Sequence, residues 1–158
     1  MLKSGQTELR PASSRGLGDW LLRAFGRAAP RVRVTSSAAR LGASLEVEWS
    51  VEPGGGTTLA TVSLVGSEVV RRRISARTGI SIVTERSDFF VVELDRQAPA
   101  TGTARVSGKG AAVIPAGLVP TLAAKFNEIS WAIVVELLSS GPQSTRQEFP
   151  LTVLPVHR

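Results

Sequence analysis

From Arg31 onward, apolar residues recur at every second position. The clearest case is "SLEVEWSVE", where Leu45, Val47, Trp49 and Val51 alternate with Glu46, Glu48 and Ser50. A period of two sends alternate side chains to opposite faces, so this segment predicts a half-buried strand. "RVRVTSS" repeats the pattern with Val32 and Val34, and "LATVSLVGSEVV" with Ala60, Val62 and Leu64. "VRRRISARTG" continues as an extended, basic segment. "ISIVTERSDFFVVELDRQ" predicts a turn near Arg86–Asp88, then a strand with Phe90, Val92 and Leu94 on one face. "TGTARVSGKGAAVIP" predicts a small-residue strand pair or bulged strand, its glycines inviting irregular pairing. Ile129, Trp131, Ile133, Val135 and Leu137 form a further face, and Phe149, Leu151 and Val153 the last, with Pro150 and Pro155 marking a sheet edge.

The first thirty residues read differently. Residues 1–16 are polar and without period, which predicts a disordered basic tail. Over residues 17–30, Leu17, Trp20, Leu21, Ala24 and Phe25 share one side of a helical wheel, with Asp19, Arg23 and Arg27 elsewhere. Asp19 in the first turn and Arg27 in the last suit the helix dipole, and Gly26 and Pro30 end the run. The expected order is therefore a tail (1–16), an amphipathic helix (17–30) and a β-domain (31–156). Seven or eight strands with turn signals such as "EPGGGTT" between them predict one all-β, antiparallel, immunoglobulin-like β-sandwich.

Composition narrows the chemistry. The chain has 158 residues and no cysteine, which excludes disulfides, thiolate metal sites and cysteine nucleophiles and suits a reducing cytoplasm. Gly110 to Ala124, as long an uncharged stretch as any in the chain, is interrupted by Pro115, Gly117 and Pro120 and falls short of the ~20 apolar residues a spanning helix needs. There is no apolar h-region at the N-terminus. Net charge is +6, and all of the excess lies in residues 1–40. The remainder is balanced, so no basic stripe for nucleic acid is expected on the domain.

The order of signals from Arg40 to Val156 resembles one lobe of the arrestin-like β-sandwich family, which includes arrestins, an arrestin-like retromer subunit and bacterial sporulation-control proteins. "RLGASLEVEWSVE" is similar to an early strand of such a domain, and "TVSLVGSE" to the strand ending in Gly-x-Glu. "VIPAGLVPTLAAKFNEISWAIVVEL" resembles the segment in which one strand stops at a proline and the next enters with an aromatic, and "FPLTVLPV" the terminal strand. The resemblance implies a non-catalytic protein-interaction or scaffolding module. It covers one lobe, not the two of arrestins proper, so receptor binding is not carried over.

The residues themselves name no reaction. His157 is the sole histidine, at the chain's end, and no serine lies in a nucleophile motif with a base in reach. "GGG" at 54–56 lacks the lysine and helix of a phosphate loop and reads as a turn. Glu46 and Glu48 share an exposed strand face, where a solvated surface accounts for them better than a cation does. No catalytic residue, metal or cofactor is expected. Two features stand out as candidate binding elements. Arg71, Arg73 and Arg77 share one strand face and suit an acidic or phosphorylated protein partner, although a charge-guarded edge explains them as well. The segment with Trp20, Leu21, Arg23, Phe25 and Arg27 suits a partner, packing against the sandwich, or an anionic membrane surface, which would place the protein peripherally at the membrane. A carbohydrate-binding or hydrolytic sandwich is the third reading, with few aromatics left to build a sugar platform.

Overall fold

The computed structural model describes residues 5–12, 30–52, 57–99, 105–140 and 144–156. The helix expected over residues 17–30 lies outside them but for Pro30. Seven long strands carry the architecture: β2 (Arg31–Ser36), β4 (Ser44–Glu52), β5 (Thr57–Ala76), β6 (Gly79–Gln97), β7 (Val106–Val113), β9 (Asn127–Ser139) and β10 (Ser144–Leu151). Four short ones, β1 (Thr7–Leu9), β3 (Ala39–Arg40), β8 (Leu122–Ala123) and β11 (Val153–Leu154), extend the sheets or close an end.

One antiparallel sheet has the order β1-β2-β4-β7, and the other β10-β9-β5-β6 with β8 also on β9. β11 pairs in parallel with β3, tying Val153–Leu154 to the connection between β2 and β4. The alternating apolar residues meet between the sheets. Leu45, Val47, Trp49 and Val51 face Val62, Leu64, Ile129, Trp131, Ile133, Val135 and Phe149 in one buried core. The two tryptophans among the described residues are inside, Trp49 at 3% exposure and Trp131 at 1%.

Three expectations are corrected. Thr7–Leu9, within the segment expected to be disordered, pairs with Val34–Ser36 of β2, and Leu9 packs against the core. One apolar side chain on an otherwise polar stretch suffices to seat a strand that covers the edge of β2. No turn interrupts Arg86–Asp88. β6 runs through it, and the irregularity is a bulge that leaves Phe89 as the extra residue between the Gly66–Phe90 and Ser67–Asp88 pairs. β7 is a single strand with unbroken register on β4 from Val51–Val106 to Ser44–Val113.

The β7 glycines answer to a close approach by β6. A Cβ on Gly108 would run into the Asp95 carboxylate and the Trp49 indole. Trp49 Nε1 donates to Asp95 Oδ2 at 2.9 Å, so this hydrogen bond joins the two sheets across the bare backbone of Gly108. At the other tryptophan, Gly66 leaves room for Phe89, since a Cβ there would lie 2.9 Å from its ring. Phe89 meets Trp131 edge-on at 5.5 Å between centroids, and Phe90 lies tilted at 5.6 Å. Trp131 Nε1 donates to the carbonyl of Val119 at 3.0 Å. The proline-bearing connector before β9 therefore supplies the one polar partner this buried indole requires.

Candidate interaction surface

β5 and β6 are far longer than the sandwich needs. β9 accompanies β5 only as far as the Val70–Asn127 pair, with Arg71 N–H donating to the Phe126 carbonyl at 2.9 Å just beyond it. From Arg72 to Glu85 the two strands pair, among the described residues, only with each other and turn at Arg77–Thr78. The result is a projecting two-stranded arm.

β5 keeps its alternation through the arm, so Arg71 and Arg73 stand on the face that Val65 and Ser67 occupy further down, away from the core. Of the three arginines singled out by sequence, the structure brings Arg71 and Arg73 together on that outer face and places Arg77 in the turn at the tip. Arg71 donates to Glu128 at 3.2 Å, and Arg72, on the opposite face, lies 3.5 Å from Glu85. Arg73 and Arg77 are exposed and have no side-chain partner among the described residues. Around them the arm exposes Ile74 (47%), Ile80 (70%), Ile82 (64%) and Val83 (37%). Trp20, Leu21, Arg23, Phe25 and Arg27, the second candidate set, lie outside the described residues.

Sequence reading missed Arg86, which it placed in a turn. Its guanidinium donates to Ser67 Oγ at 3.0 Å and to Glu148 at 3.2 and 3.3 Å, and so crosses the outer face of the sheet from β6 to β10. Ser67 in turn donates to Asp88 at 2.6 Å, and Arg146 joins Glu148 to Glu136. This network lies beside a second, small apolar cluster of Val65, Ala132 and Val134. No alternation marked it, since Glu85 and Ser87 on either side of Arg86 are polar too; the only available signal was the shared parity of Arg86 and Asp88 once β6 is read as continuous. Further along β6, Arg96 holds the Glu93 carboxyl below its ordinary range, chiefly through their 2.6 Å hydrogen bond, and its own pKa rises in return.

On the outer face of the other sheet a shallow groove of about 680 Å³ is lined by Arg33, Thr35, Glu48, Ser50, Arg105 and Lys109 among others. Lys109 donates to Glu48 at 2.7 Å and Arg105 to Ser50 at 3.1 Å. Much of its polar chemistry is thus spent within the face, and Glu48 is held by a lysine. The arm differs in projecting from the body with two free guanidinium groups.

No protein-family model matches the sequence, and no curated protein matches it. Among solved structures, the chain is similar to Spo0M, the sporulation control protein of Bacillus subtilis, with a TM-score of 0.54 and 15% sequence identity. The likeness covers 82% of this chain and 51% of that one, so the chain spans about half the length of the structure it matches. At that identity the likeness speaks to architecture alone, and it agrees with the sheet order and core described above: the chain has an all-β, arrestin-like sandwich fold.

Proposed function

We propose that this chain is a non-catalytic recognition and scaffolding module that binds a protein partner through its β5–β6 arm, taking an acidic or phosphorylated segment on Arg71, Arg73 and Arg77. One observation carries the reading. Among the described residues Arg73 and Arg77 are exposed without side-chain partners, Arg73 beside Arg71 on one face and Arg77 at the tip, on an element that projects from the sandwich. Guanidinium groups bind carboxylate and phosphate in a two-pronged geometry, and unpaired ones need release no internal partner first. The exposed isoleucines beside them supply apolar contact to the same partner.

The test uses a labelled peptide of alternating glutamate and valine, with and without a phosphoserine, titrated at low and high salt. The wild-type chain is compared with Arg71→Ser/Arg73→Ser/Arg77→Ser. Binding should weaken steeply with salt, because exposed charges are screened beyond about 8 Å at physiological ionic strength. The triple variant should keep its near-ultraviolet circular dichroism and lose the binding. Absence of binding, or binding indifferent to both salt and substitution, sinks the proposal. Anionic vesicles run in parallel test the membrane alternative: co-sedimentation that survives the triple substitution would favour a lipid surface held by residues 17–30.

A further inference from the structure

Among the described residues, the arm has two free edges of opposite character. The β5 edge carries Arg71, Arg72 and Arg73 in succession, the kind of charge that discourages strand pairing. The β6 edge reads Gly79-Ile80-Ser81-Ile82-Val83-Thr84, six residues without a charge or a proline. Ile80, Ile82 and Val83 are exposed on it. An uncharged, β-branched edge in solvent is a template for another strand. Beyond Val70 the arm also has only two strands, continuous with the sheet at its base, and a ribbon of two strands adds little stability of its own in water. The edge therefore has both the chemistry and the energetic reason to be covered.

We propose that the β6 edges of two copies of this chain pair antiparallel about a two-fold axis through Ser81, joining two arms into one four-stranded sheet. The register follows from side-chain complementarity. With the axis at Ser81, Ile80 lies opposite Ile82 of the second copy, twice over, on the outer face. Ser81 lies opposite itself, and Glu85 lies beyond the paired strands, level with the turn of the second copy. Directly opposite residues in an antiparallel pair share a face, so the isoleucines touch. Moving the axis one residue, to Ile82, sets Ile80 opposite Thr84 and loses both Ile80–Ile82 pairs. Arg71 and Arg73 of both copies then flank an isoleucine strip on one face of the joint sheet. So short a contact buries less than the ~1,200 Å² of a stable interface, so the dimer is weak and concentration-dependent. The pairing stands independently of the acidic-partner reading.

Sedimentation velocity from micromolar to near-millimolar protein tests it, together with two substitutions that touch no arginine. The wild-type chain should pass from monomer to dimer, and Ile82→Lys, which sets a charge on the edge, should stay monomeric with an unchanged thermal melt. The chain has no native cysteine, so Ser81→Cys gives a clean second readout. Paired Cα atoms about 4.5–5.5 Å apart fall within disulfide range. Under mild oxidation Ser81→Cys should link as a dimer, while Ser87→Cys on the same strand should not. A wild-type chain that stays monomeric throughout overturns the proposal and leaves the edge to a foreign strand. So does a dimer that survives Ile82→Lys, or one that cross-links at both positions alike.

Discussion

Trp131 concentrates three demands at one residue. Its ring fills the space between the sheets, its Nε1 needs an acceptor, and Phe89 and Phe90 pack on it over the bare Gly66. Trp131→Ala should therefore destabilise the fold by about 3–5 kcal/mol in urea unfolding, with both a cavity and an orphaned Val119 carbonyl contributing. A loss under about 1 kcal/mol would show that the site collapses freely. The glycines make a sharper comparison. A methyl group at Gly108 would displace the Asp95–Trp49 hydrogen bond, whereas one at Gly117 meets nothing within 4 Å. Gly108→Ala should cost about 1–3 kcal/mol, in the range of an overpacked core, and Gly117→Ala should fall within about 0.5 kcal/mol of wild type. Chemical denaturation of the two variants side by side decides it.

At the scale of elements, the strands with one buried face were legible because alternation is itself the record of that burial. Leu45 to Val51 and Ile129 to Leu137 stand where their period places them. The β5–β6 arm was not legible, for a physical reason. Beyond Val70 it has no core to face, so neither of its faces is consistently apolar: Arg72 and Ile74 share one face, Arg73 and Ile82 the other. Period two survives in the backbone but not in the sequence. The bulge at Phe89 then shifts the phase of β6 and imitates a turn. Arg71 and Arg73 were placed on one face correctly by period alone, whereas the tip position of Arg77 depends on where the hairpin turns. Since nothing in the described sandwich pairs with the arm beyond Arg71, the arm is separable. Replacing Arg72–Val83 with Asn-Gly joins Arg71 to Thr84, which already face one another, through a turn suited to two-residue hairpins. That variant should retain the wild-type tryptophan fluorescence and melt within a few degrees of wild type. A melt lowered by about 10 °C or more would mean that the arm supports the core.

For the whole molecule, charge and titration together make the class of the proposed partner testable. The chain holds one histidine, at position 157, and no cysteine, so it offers no cluster that titrates near neutral pH. Glu93 is shifted the other way. Its lowered carboxyl contributes stability above the ordinary carboxylate pKa and loses it only as pH falls through its folded value, well below the range from about pH 5.5 to 7.5. Arginine side chains stay charged across that range. Any change in arm binding between those limits therefore reports the partner rather than this chain. A partner held by aspartate or glutamate, already ionised, should bind with nearly constant affinity. A phosphorylated partner gains its second negative charge near pH 6, so its affinity should rise on going from about pH 5.5 to 7.5. The measurement is a pair of peptide titrations, carboxylate and phosphoserine, at both limits and fixed ionic strength. A flat profile for both peptides would show that the second phosphate charge is not felt by Arg71, Arg73 and Arg77. A rise shared equally by the carboxylate peptide would place a titrating group on the protein side, and the segment carrying His157 would then be the one to substitute.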